Sequence, residues 1–313
     1  MATVSVIIPL YNKVDYIDET LASLVAQERH PDEVIIVDDC STDGSLETAK
    51  LFILKYFKTM PETRVHFIEL DENKGPGFAR NEGLKFASGD YVIFLDADDV
   101  YEPPLLEKAV RVVEMYRWDI LAIGIELVPS GKTYPEFERV SPYFVPCTED
   151  VFLGLDPLLI ATTEGFNMGR GSNVLVARKY AVKESFSETA RLNEGIDYWY
   201  RVLKHIVARN GKMGLLLGGH LKFREVAGSL SRSYYKNLTD VSYPPSFERY
   251  YDSEDMYDQF LFDMVSRRWT AHTVRHLKSP LHKAYFMLRH LPLFRRQYQT
   301  GKLRKRSHKQ YII

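Results

Sequence analysis

The 313-residue chain is 45% apolar and 27% charged with a formal net charge of −1, an ordinary globular composition with room for one α/β domain and an appendage. No run approaches the roughly 18 to 20 uninterrupted apolar residues of a membrane-spanning helix, and the N-terminus lacks the charged region and cleavage site of a signal peptide, so a cytoplasmic location is expected. Cys40 and Cys147 are too few and too far apart for a disulfide framework or a recognisable zinc site. The charge balance conceals an asymmetry: residues 264–313 hold 13 Lys and Arg and no Asp or Glu, leaving residues 1–263 with 28 against 42, or −14.

In chain order, β-branched runs at residues 4–8, 34–37, 65–68, 91–95 and 120–123 alternate with amphipathic segments. This is a βαβαβ pattern. Several runs are too continuously apolar for half-exposed strands, which predicts an open, mostly parallel sheet covered by helices on both faces. Helix starts are expected after Asp15, at Asp43-Gly44-Ser45 and after Pro103-Pro104. Residues 126–146, rich in Pro, Gly and Tyr, predict irregular loops or a hairpin, and residues 147–235 read as mixed helices and strands.

The fourth run continues without a break into Asp96-Ala97-Asp98-Asp99. Side chains two apart on a strand share a face, so Asp96 and Asp98 point the same way. The carboxyl end of an open α/β sheet is where such folds place ligands. Three carboxylates in four residues repel one another unless a cation joins them, which suits a hard divalent ion. The competing reading is a cap, with Asp98 or Asp99 starting the helix after Pro103-Pro104. The second run brings Asp38-Asp39 to the same edge, followed by Asp43, itself a candidate cap. The first ends at Pro9-Leu10-Tyr11-Asn12, an aromatic face for a base with polar atoms to read its edge. A shared nucleotide cleft is expected there.

Three motifs in order resemble the family 2 glycosyltransferases of the GT-A fold: Val-Ser-Val-Ile-Ile-Pro-x-Tyr-Asn from Val4, Val-Asp-Asp-x-Ser-Thr-Asp-Gly-Ser from Val37, and Gly-x-x-x-Ala-Arg-Asn-x-Gly from Gly75. The third runs on through Gly89-Asp90-Tyr91 to the Asp96-x-Asp98-Asp99 cluster. The resemblance covers about the first hundred residues. It implies a Rossmann-like GT-A domain over 1–235, with a nucleotide-sugar-binding half to 125 and an acceptor half from 126, and a C-terminal extension over 236–313. It implies that Pro9 and Tyr11 flank the base with Asn12 alongside, that Asp39 contacts the base, and that Arg80 and Asn81 lie near the donor's sugar and phosphates. Asp96, Ala97 and Asp98 would meet the ribose and a Mn2+ or Mg2+ ion, ligated by Asp98 and Asp96. Arg80 is alternatively a solvated helix charge. The rival dinucleotide fingerprint fails, because its third glycine falls on Arg80 and it follows the third strand.

Sugar transfer with inversion is a direct displacement in which a carboxylate takes the acceptor hydroxyl's proton while a divalent ion neutralises the departing diphosphate. In the resembling family that carboxylate is the Asp of a Glu-Asp pair opening a helix in the second half. Aligned on Arg201, the pair falls on Glu194 and Gly195, so the usual base is replaced. Glu194, or Asp197 about one turn on, is left to act. Both alternatively complement the positive end of a helix carrying Arg201, Lys204 and His205 toward its other end. Tyr198 and Trp199 offer a platform for the acceptor, or belong to the core. Val226 replaces the His of a late family motif, with His220 as a substitute metal ligand.

In the basic tail, Leu281, Ala284, Tyr285, Leu288 and Leu291 recur at helical spacing. A basic amphipathic helix over this stretch suits an anionic membrane surface, or else it packs on the catalytic domain or on a second copy of the chain. Nucleic acid is not an expected partner, because the rest of the chain is acidic. The expected activity is transfer of a hexose from a UDP-linked donor to a glycan or lipid-linked acceptor in bacterial surface polysaccharide synthesis, peripheral on the inner face of the membrane. The alternative is a nucleotide-sugar-binding or partner-transferase scaffold without turnover.

Overall fold

The computed structural model describes residues 1–166, 168, 172–190, 194–226, 235 and 237–308, with side chains described as far as 301. The N-terminal part runs β1 (Val4–Leu10), α1 (Ile17–Val25), β2 (Glu33–Asp38), α2 (Ser45–Tyr56), β3 (Arg64–Glu69), α3 (Pro76–Phe86), β4 (Tyr91–Phe94), β5 (Val100–Tyr101), α4 (Leu105–Tyr116) and β6 (Ile120–Val128). It continues through β7 (Thr133–Tyr134), α5 (Phe137–Val140), β8 (Phe144–Pro146), β9 (Val151–Gly154), α6 (Pro157–Ala161), β10 (Val174–Ala177), α7 (Arg178–Ala181), α8 (Glu194–Val207) and β11 (Met213–Arg224). Four helices follow: α9 (Pro245–Tyr250), α10 (Met256–His276), α11 (Pro280–Arg289) and α12 (Leu291–His308).

One mixed sheet orders its strands β3-β2-β1-β4-β10-β6-β11-β9-β8, with β5 added to β11 and β7 to β6. The block β3-β2-β1-β4 is parallel throughout. All five expected strands form, but the fifth, β6, is not a neighbour of the fourth. Antiparallel β10 lies between them, all four of its residues buried. Which strand neighbours which depends on burial from both faces, and a run of apolar residues does not encode that. The stretch after residue 126 does contain a hairpin, β6 with β7.

Alternation along the strands divides the core. Ile7, Ile35, Val37, Val92 and Phe94 pack on one side of the sheet. Val4, Val6, Ile8, Val34, Ile36, Ile93 and Leu95 pack on the other. Helix α3 lies so close to β1 that a Cβ on Gly83 would meet the Ile7 Cγ2 at 2.4 Å, so only glycine fits that contact. The first cluster also takes in Phe260, Leu261, Phe262 and Trp269 of α10, Phe286 of α11 and Leu293 of α12. The C-terminal helices and the sheet therefore share one core.

Candidate active site

The carboxyl ends of β1, β2 and β4 lie side by side because the three strands are adjacent and parallel. After β1 and β2 the backbone turns through left-handed conformations at Asn12 (φ 49°) and Cys40 (φ 63°), uncommon for residues other than glycine and frequent at functional loops. The turns are laced together: Asn12 Oδ1 accepts from the Thr42 amide at 2.8 Å, and the Asn12 amide donates to Ser41 Oγ at 3.1 Å. Pro9 is the next-to-last residue of β1, and Tyr11 stands exposed just beyond its end. Asp39 is buried beside them, its two oxygens accepting from the Lys74 and Gly75 amides at 2.7 Å each, which fixes the approach to α3. Burial pushes its carboxyl up despite those two donors.

Each of the three carboxylates after β4 has its own partner. Asp96 Oδ1 accepts from Arg80 at 2.7 Å, and Asp98 Oδ2 pairs with Lys13 at 2.5 Å. Asp99 is buried, accepting from Ser172 Oγ at 2.8 Å and from the Arg224 amide at 3.2 Å. Burial, and then the Asp96 and Asp98 charges, push the Asp99 carboxyl well up. It is therefore a latch holding the turn to β10 and β11, and none of the three caps α4. Ala97 between them is buried in the core, and its carbonyl accepts from Thr20 Oγ1 at 3.0 Å.

Arg80 is the centre of the arrangement. Its guanidinium is buried, stacks 5.4 Å from the Phe186 ring centroid, and lies between Asp96 and Glu194, the latter at 3.4 Å. It is not a solvated surface charge. Burial alone would lower its proton affinity, but Asp96 and Glu194 more than offset that. Its Nε is buried with no hydrogen-bond partner among the described residues. Glu194, at the first position of α8, has its carboxyl pushed up by burial, with Arg80 pulling the other way.

Several of the residues expected at the site have partners of their own in the structure. The Asn81 side-chain amide is used by the segment ahead of α8, through the Phe186 carbonyl (3.0 Å), Glu188 (3.1 Å) and the Phe186 amide (2.8 Å). Asp197 does not share the surroundings of Glu194. It is buried against Arg201 at 2.9 Å and Arg249 at 3.4 Å, with burial pushing its carboxyl up to about 6. Tyr198 and Trp199 are both 0% exposed, packed with Phe94 and Phe186, so no acceptor stacks on them. An amphipathic α8 needs a buried aromatic face, and that demand claimed them. His220 lies beside the strand that follows the carboxylate turn, its carbonyl accepting from the Glu102 amide at 2.9 Å, and burial, then the Lys108 charge, push its imidazole down. Val226 is described, whereas the rest of that late motif, 227–231, lies outside the described residues.

Sequence reasoning passed over Lys13, Ser172 and Phe186. Lys13 directly follows the Tyr11-Asn12 pair and was open to notice. Phe186 opens the segment that leads to Glu194, whereas Ser172 comes from a distant segment with no local signal.

Residues 5–145 match the family described as glycosyl transferase family 2. Over that stretch the chain is similar to family 2 glycosyltransferases. The chain is 47% identical over 108 residues to the putative teichuronic acid biosynthesis glycosyltransferase TuaG of Bacillus subtilis, covering 34% of this chain and 40% of the relative. Poly(ribitol-phosphate) beta-N-acetylglucosaminyltransferase TarS of Staphylococcus aureus is 33% identical over 167 residues, 52% of this chain and 28% of the relative. The matches thus span less than half of either relative's length. In overall shape the chain is similar to S. aureus TarS 1–349 in complex with UDP-GlcNAc, at a TM-score of 0.61 and 20% identity over 98% of this chain and 92% of that one. A mannosyltransferase from Pyrobaculum calidifontis, in complex with GDP-Man and Mn2+, is similar at 0.51 and 18% identity over 96% and 84%. The GT-A fold follows from these likenesses.

The likeness to family 2 raises the question of a divalent ion. Among the described residues no three His, Cys, Asp or Glu side chains cluster around one point. Asp96 and Asp98 nevertheless offer hard oxygen ligands, each with one oxygen outside its bond to Arg80 or Lys13. Two carboxylates with substrate phosphates completing the shell are a usual arrangement for Mg2+, so the residues present fit such an ion.

Proposed function

We propose that this protein transfers a hexose with inversion from a nucleotide-diphosphate sugar, UDP-linked, to a glycan or lipid-linked acceptor of a bacterial cell-wall polymer, working at the inner face of the cytoplasmic membrane. The observation that carries the reading is Arg80 bridging Asp96 on the donor side to Glu194 at the start of α8, which brings donor charge and candidate base to one point. The names of the relatives and the UDP-GlcNAc in the structural neighbour support the polymer class and the donor class.

Tyr11 would stack on the base, and Asp39 would hold the loop that receives it. Asp96 and Asp98 would hold a divalent ion, which supplies neutralisation of the leaving diphosphate. The unmatched Arg80 Nε–H is a spare donor for a ligand oxygen. Glu194 takes the acceptor proton in place of the residue that Gly195 removes, and its raised proton affinity makes it a stronger base than an ordinary carboxylate. Asp197 acts in structure only. We also place the division between a donor half and an acceptor half near residue 125, and the start of the extension near 236.

The test is release of nucleotide diphosphate from a donor panel by the parent, Glu194→Gln and Asp98→Asn. Loss of about 10²- to 10⁴-fold in turnover with Glu194→Gln, donor binding retained, is the expected result. The loss of the usual Asp at Gly195 favours a second reading, a binding protein without catalysis. Donor binding by the parent with no release from any donor would establish it.

A further inference from the structure

Helices α11 and α12 are fastened by one side and bare on the other. Phe286 is buried with its ring centroid 5.1 Å from that of Trp269, and Leu293 is buried too. Opposite Phe286, the residues Leu281, Ala284, Tyr285 and Leu288 follow the i, i+3, i+4, i+7 spacing of one helix face. All four are exposed, Leu281 at 81% and Leu288 at 73%, and so is Leu291 three residues on. A contiguous exposed apolar stripe of this kind marks an interaction surface.

Charge chooses the partner. Arg289 is exposed about a quarter-turn round α11 from the stripe. Lys278 and Arg295 are exposed just before and after the helix. Among the described residues Arg289 and Arg295 pair with no carboxylate, and residues 264–313 contain none. Two copies joined through this face would set like charges against each other. An anionic bilayer supplies an apolar layer for the leucines and negative headgroups for the cations.

We infer that α11 lies in the headgroup region of an anionic phospholipid membrane, seated by Leu281, Tyr285, Leu288 and Leu291. The inference rests on the transferase reading only in that it names the surface where a lipid-linked acceptor is met. Phe286 and Leu293 keep the helix attached to the catalytic core while the stripe faces lipid.

The full chain is floated with vesicles of phosphatidylcholine, with or without phosphatidylglycerol. Binding is expected only with phosphatidylglycerol and weakens as salt is raised. The double variant Leu281→Glu/Leu288→Glu is expected to lose at least about tenfold in partitioning. Its unfolding midpoint and its nucleotide diphosphate release from a soluble donor stay at parent values. Failure of the parent to float, equal flotation of the variant, or a parent dimer that the variant turns into a monomer by light scattering each overturns the inference. A protein that floats but never turns over refutes the transferase reading alone.

Discussion

Arg80 shows what a single buried charge does in this site. With Asp96 and Glu194 both on it, removing the guanidinium leaves two carboxylates in a poorly solvated place, so Arg80→Met is expected to cost about 3–5 kcal/mol in urea unfolding. The same neighbours set the pH response. Glu194 accepts a proton only when ionised, and burial raises its proton affinity above the ordinary carboxylate value of 4.5. Activity is therefore lost as pH falls, with the acid limb of kcat/KM centred above 4.5. The stability contribution has the opposite sign, present at low pH and lost as pH rises through the folded-state value. Lys13 gives a third expectation at this scale. Its ammonium occupies the Asp98 carboxylate that a divalent ion would use, so Lys13→Met is expected to bind Mn2+ more tightly in a spin-resonance titration without nucleotide. Unchanged affinity would show that lysine and metal do not compete.

At the scale of elements, α3 matters because it carries Arg80, Asn81 and the Gly83 contact within a single turn. The missing Cβ at Gly83 lets α3 approach β1 closely enough to bring Arg80 beside the end of β4. Gly83→Val is expected to lower stability by about 1–3 kcal/mol through overpacking, read as a fall in the thermal midpoint. Asn81, on the same helix, ties down residues 186–188 and so aims the segment that leads into α8. The Gly-x-x-x-Ala-Arg-Asn-x-Gly motif thus contributes one charged site residue, one clamp and one close contact. The sequence made the motif visible and its location correct. It did not separate Asn81, the clamp, from Arg80, the bridge between two carboxylates, because both are polar residues on a helix beside a strand end.

At the scale of the whole molecule, the C-terminal helices share the first core cluster with β1, β4 and α8. Deleting residues 256–313 would expose Phe94's side of the core where Phe260, Phe262 and Trp269 now pack. The truncated chain is expected to lose its single cooperative unfolding transition and to bind a hydrophobic dye. A truncated protein that unfolds as sharply as the parent would mean that the extension is an independent appendage. For the same reason the membrane inference is tested with surface substitutions and not by truncation.

The sequence by itself determined the five leading strands, the parallel block, and the gathering of Tyr11, Asp39, Asp96 and Asp98 at one edge of the sheet. Continuous apolar runs and residues at strand ends are local signals, and strand geometry carries them to one edge. Tertiary structure alone decided the insertion of β10 between β4 and β6, the burial of Tyr198 and Trp199, the separation of Asp197 from Glu194, and which side of α11 faces solvent. Each of these turns on which surface is packed against another. A periodic pattern identifies an apolar face, but only the packed chain determines whether that face is covered.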